Sequence, residues 1–162
     1  MYKATRDFLA ARQRHTEFKL QTPTVKRIGG GELGKCFENA MAVVNRGKEE
    51  GIKYVALSGW LVQPYDKKNN CTVIIQHWWN GDSSGNQFDT SPSVNYSEEY
   101  VLDFGLYDFI RANFERIKSN VAMSLLYQNG NYELLVDPET MGFKSVSELR
   151  TEYLFRYEED SN

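Results

Sequence analysis

The stretch CTVIIQHWWNGDSSGNQFDT, residues 71–90, constrains the fold more than any other part of this chain. Its first nine residues, 71–79, are rich in β-branched and aromatic side chains and bounded by polar turns, which reads as a strand. NGDSSG supplies turn residues, and NQFDT at 86–90 reads as the returning strand. A second run, YVALSGWLV at 54–62, leads into the first through the turn QPYDKKNN, so the three strands form an antiparallel meander. Just upstream, from Cys36, apolar residues recur at Phe37, Ala40, Met41 and Val44, the spacing of one helix face, and Gly51 suits a helix C-cap. A helix of this kind buries its apolar face most simply on the meander. The expected fold class is α+β, with the helix that begins at Cys36 packed on an antiparallel sheet.

The flanks read less sharply. Residues 3–18 suit an amphipathic helix, and QTPTVKRIGGGELG reads as a loop without regular structure, because Pro23 and its glycines favour none. Residues 98–118 read as helix. MSLLYQNGNYELLV reads as a hairpin turning on Asn129-Gly130, and SVSELRTEYLF as a short helix near 145–153. With no repeat and no low-complexity linker, residues 1–162 form one expected domain, long enough to bury a core.

Alternation along 71–79 places His77 on one strand face with Cys71, Val73, Ile75 and Trp79. That apolar face is expected to pack inward, against the Cys36 helix. If the NGDSSG turn centres on Ser83, His77 faces Asp89 directly across the hairpin, with Cβ atoms roughly 4.5–5.5 Å apart. A carboxylate at that range orients an imidazole and stabilises its protonated form. A thiol at a helix N-terminus meets unsatisfied N–H groups and the positive end of the helix dipole. With an imidazolium beside it, such a thiol falls from a pKa of about 8.5 into a range of about 3.5–7.5. Cys36 is then a nucleophile, His77 its acid and base, and Asp89 the residue that fixes the imidazole. The Cys36 backbone N–H is the first candidate donor to an oxyanion, and the Trp60 indole a second. Trp78 and Trp79 read first as core and sheet surface; if exposed beside His77, either of them, with Trp79 the candidate on its face, would make an aromatic wall for a substrate.

Each residue also has a plainer reading. Free cysteine is often buried as a small hydrophobe, His77 can be a satisfied structural histidine, and Asp89 before Thr-Ser-Pro suits a turn. Cys71, inside a strand, reads as core. A metal site from Cys36, Cys71, His77 and Asp89 lacks the paired cysteine spacing of zinc sites, so neither metal nor cofactor is expected. The triple glycine at 29–31 lacks the Gly-Lys-Ser/Thr end of a phosphate loop.

Composition narrows the partners. A net charge of -3 gives no overall attraction to nucleic acid. No stretch reaches the ~18 apolar residues of a membrane span, and the N-terminus lacks the apolar segment of a signal peptide, so a cytoplasmic location with reduced thiols is expected. The expected partner is a protein or peptide substrate.

The order of motifs resembles transglutaminase-like cysteine proteins, within the broader papain-like thiol hydrolases. The residues are Gly34, Cys36 and Phe37 opening a helix, Gly51-Ile52, Gly59 in a strand, His77 with Trp79, and Asp89-Thr90-Ser91-Pro92 after a hairpin. The resemblance covers about residues 29–92. It implies a Cys36–His77–Asp89 triad and acyl-transfer chemistry on an amide or ester, as in a peptidase, amidase, deamidase or transglutaminase. Phe37 stands where members more often have Trp. Domains of this type also occur as binding modules without catalysis, which makes an inactive protein-binding module the alternative expectation.

Overall fold

The computed structural model describes residues 1–14, 16–66, 68, 70–92, 98–106, 124–135 and 143–145. Among the described residues two helices, α1 (Lys3–Gln13) and α2 (Cys36–Glu50), accompany eight strands. The strands are β1 (Val25–Arg27), β2 (Tyr54–Asp66), β3 (Cys71–Asp82), β4 (Gln87–Asp89), β5 (Glu99–Leu102), β6 (Ser124–Gln128), β7 (Asn131–Leu135) and β8 (Phe143–Ser145). The fold is mixed α+β, with one mostly antiparallel sheet.

The long β2–β3 hairpin is the spine of the sheet. β2 lies along the whole of one β3 edge, and β5 adds to the far side of β2. The other β3 edge is shared, with β6 along residues 71–75 and β4 at residues 80–81. β7 and β8 continue outward from β6, while β1 joins β4 in the one parallel pairing among the described residues. Asn129 and Gly130, at φ 51° and 79°, make the tight β6–β7 turn that the sequence signalled.

Two apolar clusters form on the sheet. One gathers Phe8 of α1 with Trp60, Val62, Ile74, Val101 and Leu125. Helix α1 is short and has no side-chain N-cap, so tertiary contacts anchor it: Phe8 edge-on to Trp60 at 5.2 Å and the buried Arg12–Asp103 ion pair at 2.9 Å. Burying such a ring contributes roughly 1.5–3 kcal/mol. The other cluster joins Leu61, Trp79, Tyr100 and Leu102. Helix α2 ends where expected, with Gly51 left-handed at φ 74° and its N–H bonded to the Gly47 carbonyl.

Four expectations need correction. Residues 25–27 form β1 rather than loop, because hydrogen bonding beside β4 gives that short segment a partner. Residues 99–102 are strand, not helix: pairing of Glu99–Leu102 with Val62–Gly59 overrides local helix propensity. The proposed inward face of β3 is also wrong over its first half. Thr72, Ile74 and Gln76 are buried there, while Cys71, Val73 and Ile75 are half-buried. Only at His77 and Trp79 does the expected face turn inward. Finally, beyond the contact of its first residue, Cys36, with His77, α2 packs on Trp78 and Asn80, on the opposite alternation to His77: Phe37 packs edge-on to Trp78 at 5.1 Å, and the Asn80 amide donates to the Ala40 carbonyl at 2.9 Å. The remainder of the helix expected over 98–118, and nearly all of that expected near 145–153, lie outside the described residues; Ser145 itself ends β8.

Candidate active site

β3 pairs with β4 through Asn80–Phe88 and Gly81–Gln87, so the hairpin centres on Ser84, one residue later than expected. The shift moves the register by two positions. His77 and Asp89 are therefore diagonal neighbours rather than direct partners, yet they keep a common face because side chains alternate with a period of two. His77 Nε2 lies 2.7 Å from Asp89 Oδ2. Both side chains are buried, at 8% and 1% exposure.

Cys36 also acts on the imidazole. The thiol stands on the first residue of α2, partly exposed and within hydrogen-bonding contact of the His77 ring. Of the three groups the carboxylate is buried and the thiol partly exposed. Neither cysteine is in a disulfide. At the start of α2 the Cys36, Phe37 and Glu38 N–H groups have no intrahelical acceptor, and the first bond back to the preceding residue is Asn39 N–H to the Lys35 carbonyl at 2.8 Å. These N–H groups can hold a developing negative charge beside the thiol.

Aromatic rings close over the imidazole. Trp79 stacks on His77 with ring centres 6.2 Å apart, and Tyr100 meets its edge at 6.1 Å. Burial alone would push the His77 pKa down, but hydrogen bonding and charge from Asp89 and Cys36 outweigh it and raise the pKa to about 9. Burial likewise opposes ionisation of Asp89. Bonds and charge from His77, with the Tyr100 hydroxyl and the Ser91 N–H, prevail and hold its pKa below 3.8. The pair is thus an imidazolium and a carboxylate at neutral pH.

Sequence reasoning missed the shell behind Asp89. Tyr100 donates its hydroxyl to Oδ2 at 2.7 Å, and Ser91 N–H donates to Oδ1 at 2.8 Å. Arg27 lies 3.4 Å from Oδ2 and also donates to Glu98 at 2.5 Å. The Asp89 carbonyl accepts Ile28 N–H at 2.8 Å, so the glycine loop wraps the end of β4. Asn39 ties that loop to α2 by accepting from Glu32 N–H at 3.0 Å and donating to the Glu32 carbonyl at 2.8 Å. Tyr100 was hidden by its assignment to a helix, and Arg27 by its assignment to a loop.

Two assignments fail. The Trp60 indole is no oxyanion donor: its ring is fully buried, it shares a strand face with the Phe8 cluster, and its N–H donates to Asp103 Oδ2 at 2.9 Å. Trp79 is no exposed substrate wall, being 1% exposed with its N–H donated to Gln87 at 2.8 Å. The half-buried Trp78 and the exposed Phe37 are the aromatic pair at this end of α2. Cys71 stands at the far end of β3, paired with Gln128. Among the described residues no group of three or more His, Cys, Asp or Glu is arranged to hold a metal ion, and no helix is long and apolar enough to cross a membrane.

No protein-family model, curated protein or solved structure matches the chain.

Proposed function

We propose that the chain is a thiol-dependent acyl-transfer enzyme acting on an amide of a protein or peptide, of the transglutaminase-like type that its motif order resembles. The observation that carries this reading is that Cys36 and Asp89 both act on His77, with the thiol partly exposed and the carboxylate buried. The Cys36 sulfur attacks the amide carbonyl carbon, and the oxygen takes up the negative charge beside the N–H groups of the first α2 turn. His77 gives its proton to the departing nitrogen as the C–N bond breaks, leaving a thioester on Cys36. Water or an amine then attacks the thioester. His77 removes the proton from that nucleophile, and Cys36 leaves. Asp89 stays ionised and holds the ring through Nε2.

Alkylation of the native protein with iodoacetamide against pH tests this reading, with Cys71 as the internal comparison. Cys36 is expected to react at pH 6 at least about tenfold faster than an unperturbed thiol, and His77→Ala is expected to remove the excess. A Cys36 rate equal to that of an unperturbed thiol, unchanged in His77→Ala, would overturn it.

The second reading is a protein-binding module that keeps the fold without catalysis. It draws on the exposed apolar side chains Ile28, Leu33 and Phe37, at 53%, 70% and 46% exposure, in the loop and first turn around Cys36. Capture of one and the same protein by wild type and Cys36→Ser, together with unexceptional Cys36 alkylation, would favour it.

A further inference from the structure

Asp89 has more partners than an imidazole-orienting carboxylate requires. Its Oδ2 accepts from His77 Nε2 and from the Tyr100 hydroxyl, each at 2.7 Å, and the Arg27 guanidinium lies 3.4 Å from that same oxygen. Its Oδ1 accepts the Ser91 N–H at 2.8 Å. These groups come from β3, β5, β1 and the turn after β4, while Cys36 approaches His77 from α2. Arg27 is itself fixed from two sides. It donates to the Ser91 carbonyl at 3.1 Å and to Glu98 at 2.5 Å, and its guanidinium sits 5.8 Å from the centre of the Tyr100 ring.

Tyr100 can serve here only as a donor. Burial and the negative charge of Asp89 push its hydroxyl well above the ordinary tyrosine range, so it keeps its proton at neutral pH. A hydrogen bond donated to Oδ2, and a cation beside it, each take up charge that otherwise acts on His77. An imidazolium held too firmly by its carboxylate is a poor acid towards a leaving group.

We propose that Tyr100 and Arg27 are positioning residues that share the carboxylate oxygen used by His77 and temper its hold on the imidazole proton. Glu98 bounds the effect by neutralising part of the Arg27 charge. The consequence for turnover rests on the acyl-transfer reading above, but the effect on His77 does not.

The test is proton titration of His77 by nitrogen NMR on the full chain with labelled histidine, His15 being assigned with His15→Gln. Tyr100→Phe removes only the hydroxyl and keeps the ring against Trp79, which it meets at 5.2 Å. Its His77 midpoint is expected about one pH unit higher than in wild type, and Arg27→Gln is expected to move it in the same direction. Arg27→Lys, which keeps the charge, is expected to restore most of the wild-type midpoint. The alkaline limb of Cys36 alkylation should follow each change. A His77 midpoint that stays put or falls in both Tyr100→Phe and Arg27→Gln overturns the proposal. If the midpoints rise while Cys36 alkylates as an unperturbed thiol throughout, the network stands and the enzyme reading falls.

Discussion

His77 and Asp89 are joined at 2.7 Å across a diagonal of the β3–β4 ladder, both buried, with Trp79 and Tyr100 packed against the imidazole. The bond makes stability depend on pH in a definable window. The His77 pKa rises from 6.5 to about 9 on folding, so its contribution is complete below pH 6.5 and is lost as pH climbs through about 9. Asp89 moves the other way: its contribution is present above pH 3.8 and is lost as pH falls through its lower folded value. At about 1.4 kcal/mol for each pKa unit, the His77 effect is on the order of 3 kcal/mol. Urea unfolding at a series of pH values should show wild-type stability falling between roughly pH 7 and 9, and a flatter curve for His77→Gln. An equally steep fall in His77→Gln would separate the loss from this pair.

Trp60 is a structural residue whose polar edge belongs to the core. Trp60→Phe leaves the ring site filled but removes the donor to Asp103, which Arg12 still holds at 2.9 Å. The expected cost is about 1–3 kcal/mol in urea unfolding, with Cys36 alkylation unchanged. A Cys36 rate that drops while stability holds would return Trp60 to the site.

Gly59 lies opposite His77 on one side and Leu102 on the other, close against β5 and the Trp79 ring. A Cβ there would stand 2.0 Å from the Val101 carbonyl oxygen and 2.5 Å from the Trp79 ring. The first neighbour is backbone and cannot yield without breaking the β2–β5 ladder. Gly59→Ala is expected to destabilise by about 3 kcal/mol or more, and to shift the Trp79 and Tyr100 resonances in NMR spectra. A variant as stable as wild type would show that the strands are free to separate here.

Asn39 bonds both Glu32 backbone groups and also donates to the Ser91 hydroxyl at 3.3 Å. Asn39→Ala should cost about 1–2 kcal/mol and speed hydrogen exchange at the Gly31 amide, which donates to the Thr90 carbonyl at 2.8 Å. Unchanged exchange at Gly31 would mean the loop is held without Asn39.

Much of this architecture could be read from local pattern. The α2 spacing with Gly51, the β2–β3 hairpin and the Asn129-Gly130 turn each carry their own signal within a few residues. His77 and Asp89 could be put on one face because parity survives a two-residue error in register, whereas a one-residue error would have separated them. Long-range features were not legible. Tyr100-Val101-Leu102 is a short apolar run that suits helix or strand alike, and only the vacant β2 edge decides it. Val25–Arg27 becomes strand only because β4 lies beside it, and the Trp60 indole turns to Asp103, 43 positions away. Nothing in the local sequence announces either partner.

The parallel pairing of β1 with β4 has a consequence for the order in which the molecule is made. Arg27 reaches the Ser91 carbonyl over 64 positions of chain and Glu98 over 71, and closing such loops costs entropy before any contact offsets it. On the ribosome Cys36, His77 and Asp89 all emerge before Tyr100. A nascent chain therefore carries its thiol, imidazole and carboxylate for some time before the last donor to Asp89 has been synthesised. Tyr100 arrives on β5, the strand added to the far edge of β2, and β6–β8 follow it, so the thiol gains its full surroundings only late in synthesis.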